Sequence, residues 1–343
     1  MRFAILHTNF DGDMRNDFND VDCAPVLLIG FNRPDFMAAQ IAAVRAAKPA
    51  RLYVAVDGPR PDRAGEDEKC RAVRECVKLV DWPCEVKTLF REKNLGCKMG
   101  VSGAITWFFE NEEEGIVLED DCRPSEDFLR FASEMLVRYR EDERIGLVAG
   151  FNAFDLQSDR QASYHFSEHL DIWGWASWRR VWQKYDVTMA KYADRAEALI
   201  DQSRMSPYGK MFMRKGLRQV REGLNTWDFQ FSLMFLAEGY LAVSPREKLV
   251  TNAGVCDAAA THTGGYNYYA PRFVKAGHMA FPLVHPAAVV CDEWADRRRE
   301  QMEGAIFPRG LTWLGCKFPR LCPLLSMFGH IVEAALPILF RYP

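Results

Sequence analysis

Glu119, Asp120 and Asp121 are three consecutive acids closing the apolar run Gly115 to Leu118. Carboxylates at the end of a buried strand repel one another and lose hydration, so a positive group is expected beside them. Two readings follow from chemistry alone. The acids could precede a helix that starts near Pro124 and Ser125, where negative charge favours a helix N-terminus. Alternatively they could hold a hard cation, Mg²⁺ or Mn²⁺, through one or two carboxylates, with water and phosphate oxygens completing the shell. A second acid of interest is Asp228, in the first turn of a helix whose apolar positions are Phe231, Leu233, Met234 and Leu236. There it either complements the helix dipole or, set beside a hydroxyl, takes its proton as a general base. Asp171 is the second candidate for that role.

The elements that must position these acids alternate between short apolar runs and amphipathic stretches, the pattern of βαβ units. Strands are expected at Val26 to Phe31, Leu52 to Val56, Glu85 to Phe90, Gly115 to Leu118, Ile145 to Ala149 and Tyr240 to Ser244. Helices are expected at Asp35 to Ala47, up to about Val80, at Met99 to Glu110 and at Glu126 to Arg140, with a mostly helical stretch from Trp175 to Gly239. The first four strands should form a parallel sheet. In such sheets ligands collect at the carboxyl ends of the strands, which singles out Asn32, Arg33, Asp57, Arg91 and the acidic triplet. The guanidinium forks of Arg33 and Arg91 suit bidentate contact with phosphate oxygens, or else serve as ordinary surface ion pairs.

The order of Asn32-Arg33-Pro34 after a strand, Val56-Asp57-Gly58 after another, the acidic triplet after a third, and the segment IWGWASWRRVW at Ile172 to Trp182 resembles GT-A nucleotide-sugar glycosyltransferases. It is most similar to bacterial members with such a tryptophan segment, and more distantly to inverting N-acetylglucosaminyltransferases whose acidic motif is also EDD. The resemblance spans roughly residues 25–285. It implies an α/β, Rossmann-like, mostly parallel central sheet flanked by helices, with a helical C-terminal extension. An acidic segment (1–24), a nucleotide-sugar-binding half (25–150), an acceptor-binding half (151–285) and the extension (286–343) are the expected parts. On the family's pattern Asp57 contacts the nucleotide base, Asp120 the ribose and Asp121 the metal, with Glu119, Asn32, Arg33 and Arg91 around the donor. Asp228 falls where inverting relatives carry the base, and His262, among small residues in the loop Asp257 to Gly265, where a late contact to metal or diphosphate is expected. Trp175, Trp178 and Trp182 fit one helical face and core packing, whereas Gly174 lets the chain turn so that Trp173 or Trp175 lines an acceptor pocket.

The implied reaction moves a sugar from a nucleotide-diphosphate donor, a UDP-sugar foremost, to a hydroxyl of a glycan or glycolipid, with Mn²⁺ or Mg²⁺ as cofactor. Its rivals are a nucleotidylyltransferase, disfavoured because Asn32-Arg33-Pro34 stands where such enzymes carry a glycine- and lysine-rich loop, and a carbohydrate-binding scaffold without catalysis. A net charge of -3 over 343 residues leaves no global basic field for nucleic acid. Ten cysteines with no CxxC pair fit reduced thiols of the cytoplasm. The acidic start, Asp11 to Asp22, lacks the form of a signal peptide and reads as a solvated segment. From Ala305 aromatic and aliphatic residues interleave with Arg309, Lys317, Arg320 and Arg341. This tail is either an element lying on the cytoplasmic face of the inner membrane or a packed contact, within the chain or between two copies.

Overall fold

The computed structural model describes residues 21–152, 159, 161–256 and 276–306. Most of the acidic N-terminal run, the loop bearing His262 and the tail beyond Ile306 lie outside the described residues. The chain is an α/β protein whose large, mostly parallel sheet is flanked by helices, as expected. Its first half runs β1 (Val26–Gly30), α1 (Pro34–Val44), β2 (Arg51–Val56), α2 (Glu66–Glu75), β3 (Glu85–Phe90), α3 (Gly96–Asn111), β4 (Glu114–Glu119), β5 (Cys122–Pro124), α4 (Glu126–Arg138) and β6 (Ile145–Ala149). The second half adds β7 (Tyr164–Ser167), β8 (Trp175–Trp178), α5 (Arg179–Trp182), α6 (Ala196–Gln202), α7 (Pro207–Arg221), α8 (Asp228–Glu238), β9 (Leu241–Pro245), β10 (Val250–Asn252) and α9 (Glu293–Ile306).

Among the described residues eight strands form the sheet, in the order β3-β2-β1-β4-β8-β6-β9-β7. β1 pairs in parallel with β2 on one side and β4 on the other, so the chain winds outward to β3 and then returns across β1 to start β4. That reversal opens a crevice at the carboxyl ends of β1 and β4. Every residue of β1 is buried, because helices cover both faces of the sheet.

The segment from Trp175 departs from the helical reading. Trp175–Trp178 is a strand, antiparallel to both β4 and β6, with Val117 opposite Trp175. All four residues are buried, and a central strand buried on both faces loses the period-two signal that would distinguish it. Trp175 packs against Trp227 and Phe231, whereas the Trp178 indole N–H donates to the Leu136 carbonyl of α4 at 3.2 Å. Gly174, just before β8, has φ +69 and lies where a β-carbon would meet Val250 at 2.8 Å, so the tight turn expected there is present and only glycine fits it.

Asp57 follows β2 and turns its carboxylate onto the amides at the start of α3. It accepts from Gly58 (3.0 Å), Leu95 (3.1 and 3.0 Å) and Gly96 (3.2 Å). The loop can come this close because Gly58 has no side chain: a β-carbon there would stand 2.4 Å from the Lys93 backbone. Gly58→Ala is therefore expected to push the 92–96 loop away and cost about 1–3 kcal/mol in urea unfolding, as overpacking does. An unchanged unfolding midpoint would contradict this packing.

Candidate functional site

Arg33 leaves the end of β1 and crosses the crevice to the triplet. Its Nε donates to Asp120 Oδ2 at 3.0 Å, its Nη2 pairs with Asp120 Oδ1, and the same Nη2 lies 3.4 Å from Asp121 Oδ2. The guanidinium stacks 4.5 Å from the Phe36 ring centre, and Arg123 approaches the same ring at 4.8 Å while donating to the Asp120 carbonyl. The expected positive partner of the triplet is thus an arginine from the first strand's end.

The backbone of the triplet is braced from below by Gln40, a fully buried residue of α1. Its Nε2 donates to the carbonyls of Glu119 (2.6 Å) and Cys122 (3.3 Å). Sequence reasoning passed over Gln40, yet it interrupts the apolar stripe Met37, Ile41, Val44, and a polar residue on a buried helix face marks a backbone to be satisfied. From the other side the ribbon of β10 against β5 brings in Asn252, whose Nδ2 lies 3.4 Å from Asp121 Oδ1, while the Ala253 amide donates to the Asp121 carbonyl at 2.8 Å. Three-residue strands carry too little pattern to be read in advance, so Asn252 and Arg123 were not foreseen either.

The helix-cap reading of the triplet does not hold. α4 is capped by Ser125, whose hydroxyl accepts from Phe128 N at 3.1 Å, and its first-turn acids are Glu126 and Asp127. β5 separates the triplet from that helix.

Asp228 opens α8, as the sequence indicates. Its Oδ1 accepts from the Thr226 hydroxyl (2.5 Å) and the Phe229 amide (2.8 Å). The fold sets it close enough to the triplet that its charge acts on Glu119. Burial, then the charges of Asp121, Asp120 and Asp228, push the Glu119 carboxyl up to about 8 against the lowering effect of Arg33. The Cys97 thiol, near the start of α3, is pushed up to about 12 by burial and by Glu119, Asp228 and Asp121. The carboxyl ends of β1 and β4 and the start of α8 therefore form one acidic basin.

Other expected site residues have structural partners. Asn32 donates to Glu66 Oε1 at 3.0 Å, and Glu66, paired with Arg60, is held down at about 2. Arg91 donates to the Gly100 carbonyl at 2.9 Å beneath α3. Asp171 forms a bidentate pair with Arg299 of α9 at 2.7 and 2.9 Å. Trp175 is 1% exposed and stacked in the core, so of the two rings offered for an acceptor wall only Trp173, partly buried against Phe151 at 4.7 Å, keeps surface to present. His262 lies outside the described residues.

Among the described residues no group of three His, Cys, Asp or Glu side chains has the geometry to hold a metal by itself. The site nevertheless fits a Mg²⁺ or Mn²⁺ ion that takes few protein donors. Glu119 is destabilised as an anion by burial and then by three neighbouring acids, and the donors on offer are hard carboxylate and amide oxygens. Nor, among the described residues, is any helix long and apolar enough to cross a membrane.

No protein-family model matches the chain. No curated protein matches it either. Solved structures do. They include the mannosyltransferase PcManGT from Pyrobaculum calidifontis in complex with GDP-Man and Mn²⁺, at TM-score 0.36 and 13% identity over 63% of this chain and 69% of that one. HddC from Yersinia pseudotuberculosis matches at TM-score 0.30 and 10% identity over 47% and 80%. The 4-diphosphocytidyl-2C-methyl-D-erythritol synthase of Anaerococcus prevotii matches at TM-score 0.29 and 9% identity over 60% and 87%. At these scores the likeness decides nothing about chemistry, which rests on the residues above.

Glu119 provides a test of the basin. An ordinary glutamate titrates near 4.5, whereas in the fold this one holds its proton to about 8. Between those values the folded chain binds more protons than the unfolded one, so stability falls as pH rises through the window. Glu119→Gln, which removes the titration, should match the wild-type melting temperature at pH 4 in EDTA and exceed it at pH 9. A difference between the two proteins that does not change with pH would refute the assignment.

Proposed function

We propose that the chain is a GT-A-type glycosyltransferase, transferring a sugar from a nucleotide-diphosphate donor to a hydroxyl acceptor with inversion at the anomeric carbon. The observation that carries this reading is the meeting of two acidic groups encoded more than a hundred residues apart, the triplet and Asp228, in one basin at the sheet's reversal point. A basin of this kind has a donor end and an acceptor end. Asp121, with His262 as the expected second contact, would hold Mn²⁺ or Mg²⁺. Such an ion supplies Lewis-acid stabilisation to a departing diphosphate. Arg33 is placed to exchange part of its pairing with Asp120 and Asp121 for phosphate oxygens, a geometry its fork suits. Asp57 would act on the donor through the loop it tethers, or through a direct contact to the base. Asp228 lies at the acceptor end, where it would take the hydroxyl proton as the new glycosidic bond forms. Trp173 would flank the acceptor. A glycan or glycolipid acceptor and a role in bacterial surface glycan synthesis on the cytoplasmic side complete the proposal.

Incubating the protein with Mn²⁺ and UDP-, GDP-, dTDP- and CMP-linked sugars, and detecting released nucleotide, tests the reaction class. Release of the nucleoside diphosphate from a UDP-, GDP- or dTDP-sugar, with free or transferred sugar, is expected, CMP release from the CMP-sugar would mark a monophosphate donor instead, and pyrophosphate formation from a sugar phosphate and a nucleoside triphosphate would identify a nucleotidylyltransferase. Asp228→Asn should lower kcat at least about 100-fold with donor affinity nearly unchanged. Asp121→Ala should abolish the Mn²⁺-dependent part of donor binding in calorimetry. Turnover of Asp228→Asn within about tenfold of wild type would remove Asp228 from the chemistry.

A further inference from the structure

The stretch 203–221 carries six basic residues, Arg204, Lys210, Arg214, Lys215, Arg218 and Arg221, and no acid, in a chain whose net charge is -3. Part of this charge is used internally. Arg204 pairs with Glu168 and Glu293, and Arg214 with Glu197 and Asp201. Lys210 donates to the Asp201 carbonyl at 2.7 Å. Lys215, Arg218 and Arg221, in the second half of α7, pair with no carboxylate among the described residues. The helix buries Gly216, Leu217 and Val220. Helical spacing places Tyr208, Met211, Phe212, Lys215 and Arg218 on or beside the opposite face. Phe212 is 52% exposed, with Tyr208 stacked on it at 6.4 Å. The outward face therefore pairs an exposed aromatic at one end with uncompensated cations at the other. Such a face suits a headgroup layer, where a ring enters the interface and bases meet anionic lipid.

We infer that α7 docks the protein on an anionic bilayer surface through Phe212, Lys215 and Arg218. The position of this face sets its use. Phe212 packs on Phe229 at 5.7 Å, and Phe229, which also packs on Gly216 of the buried face of α7, follows Asp228 in the chain, so a docked α7 lies over the start of α8. On the transferase reading, docking would hold the helix that bears Asp228 near a lipid-borne acceptor. The docking itself is measured without substrate, so it stands or falls apart from that reading.

The test is flotation of the full chain with vesicles of phosphatidylcholine alone or mixed in equal parts with phosphatidylglycerol, at about 0.05 and 0.5 M NaCl. Wild type is expected to float only with the anionic vesicles and to release at high salt. The double variant Lys215→Glu, Arg218→Glu should lose on the order of a hundredfold in partition, each base contributing near the surface. Phe212→Ser should lose several-fold, with circular dichroism confirming that both variants are folded. If the double variant is unstable, Lys215→Gln with Arg218→Gln provides the milder charge test. Failure of wild type to float, or full flotation of the folded charge variant, overturns the proposal. So does a charge-dependent association indifferent to Phe212, which would mark a surface for soluble polyanions instead.

Discussion

Charge balance at the end of β4 is the constraint on which the rest of the site depends. Asp120 is 7% exposed, and burial raises its carboxyl above the ordinary range against the opposing pull of Arg33. Arg33 reaches Asp120 and Asp121 together because β1 and β4 are neighbours in parallel register, with Ile29 opposite Glu119. The sheet order is thus an electrostatic requirement as well as a packing one. Without β4 returning beside β1, the triplet would lose the guanidinium that pairs with the Asp120 and Asp121 carboxylates and keep only Arg123, which donates to the Asp120 carbonyl. One arginine shared by two carboxylates still leaves Glu119 reluctant to ionise. A buried site with surplus negative charge is stabilised by anything positive that enters it, so the same imbalance would favour a cation there.

Much of the framework of the first half was legible from residue pattern. β3 and β6 have the bounds expected, and β1 ends one residue sooner, at Gly30. β1 and β6 are apolar runs flanked by turn residues, a local signal, whereas β3 mixes polar and apolar residues. The start of α3 was placed too late because the helix begins at Gly96, where φ is +75, immediately after amides taken up by Asp57, nearly forty residues away. No window of sequence contains that bond. β8 was misread for a related reason: tryptophans at 175, 178 and 182 match helical spacing, and only the neighbouring strands β4 and β6 decide otherwise. Of the candidate site residues, Asp228 and the triplet were identifiable by type and position. Their convergence was implied only by the resemblance, since it arises from tertiary packing and no local pattern contains it.

The tryptophan segment illustrates how packing sets chemistry at a distance. Trp175 is stacked on Trp227 with centroids 6.0 Å apart, and Trp182 stacks on Tyr185 at 4.3 Å. Tyr185 in turn donates its hydroxyl to the Trp227 carbonyl at 3.1 Å. Trp227 is the residue before Asp228 and is 2% exposed, so the helix that carries the candidate base is held from its first turn by an aromatic cluster. Large rings in mutual contact leave little room for rotation or slippage, because interiors are close-packed and even one missing methylene is felt. A carboxylate at the end of such a helix inherits that rigidity, which general base action requires within a fraction of an ångström. Trp175, one of the two rings the sequence offered for an acceptor wall, is thus better understood as part of the mounting that holds the start of α8, and with it Asp228.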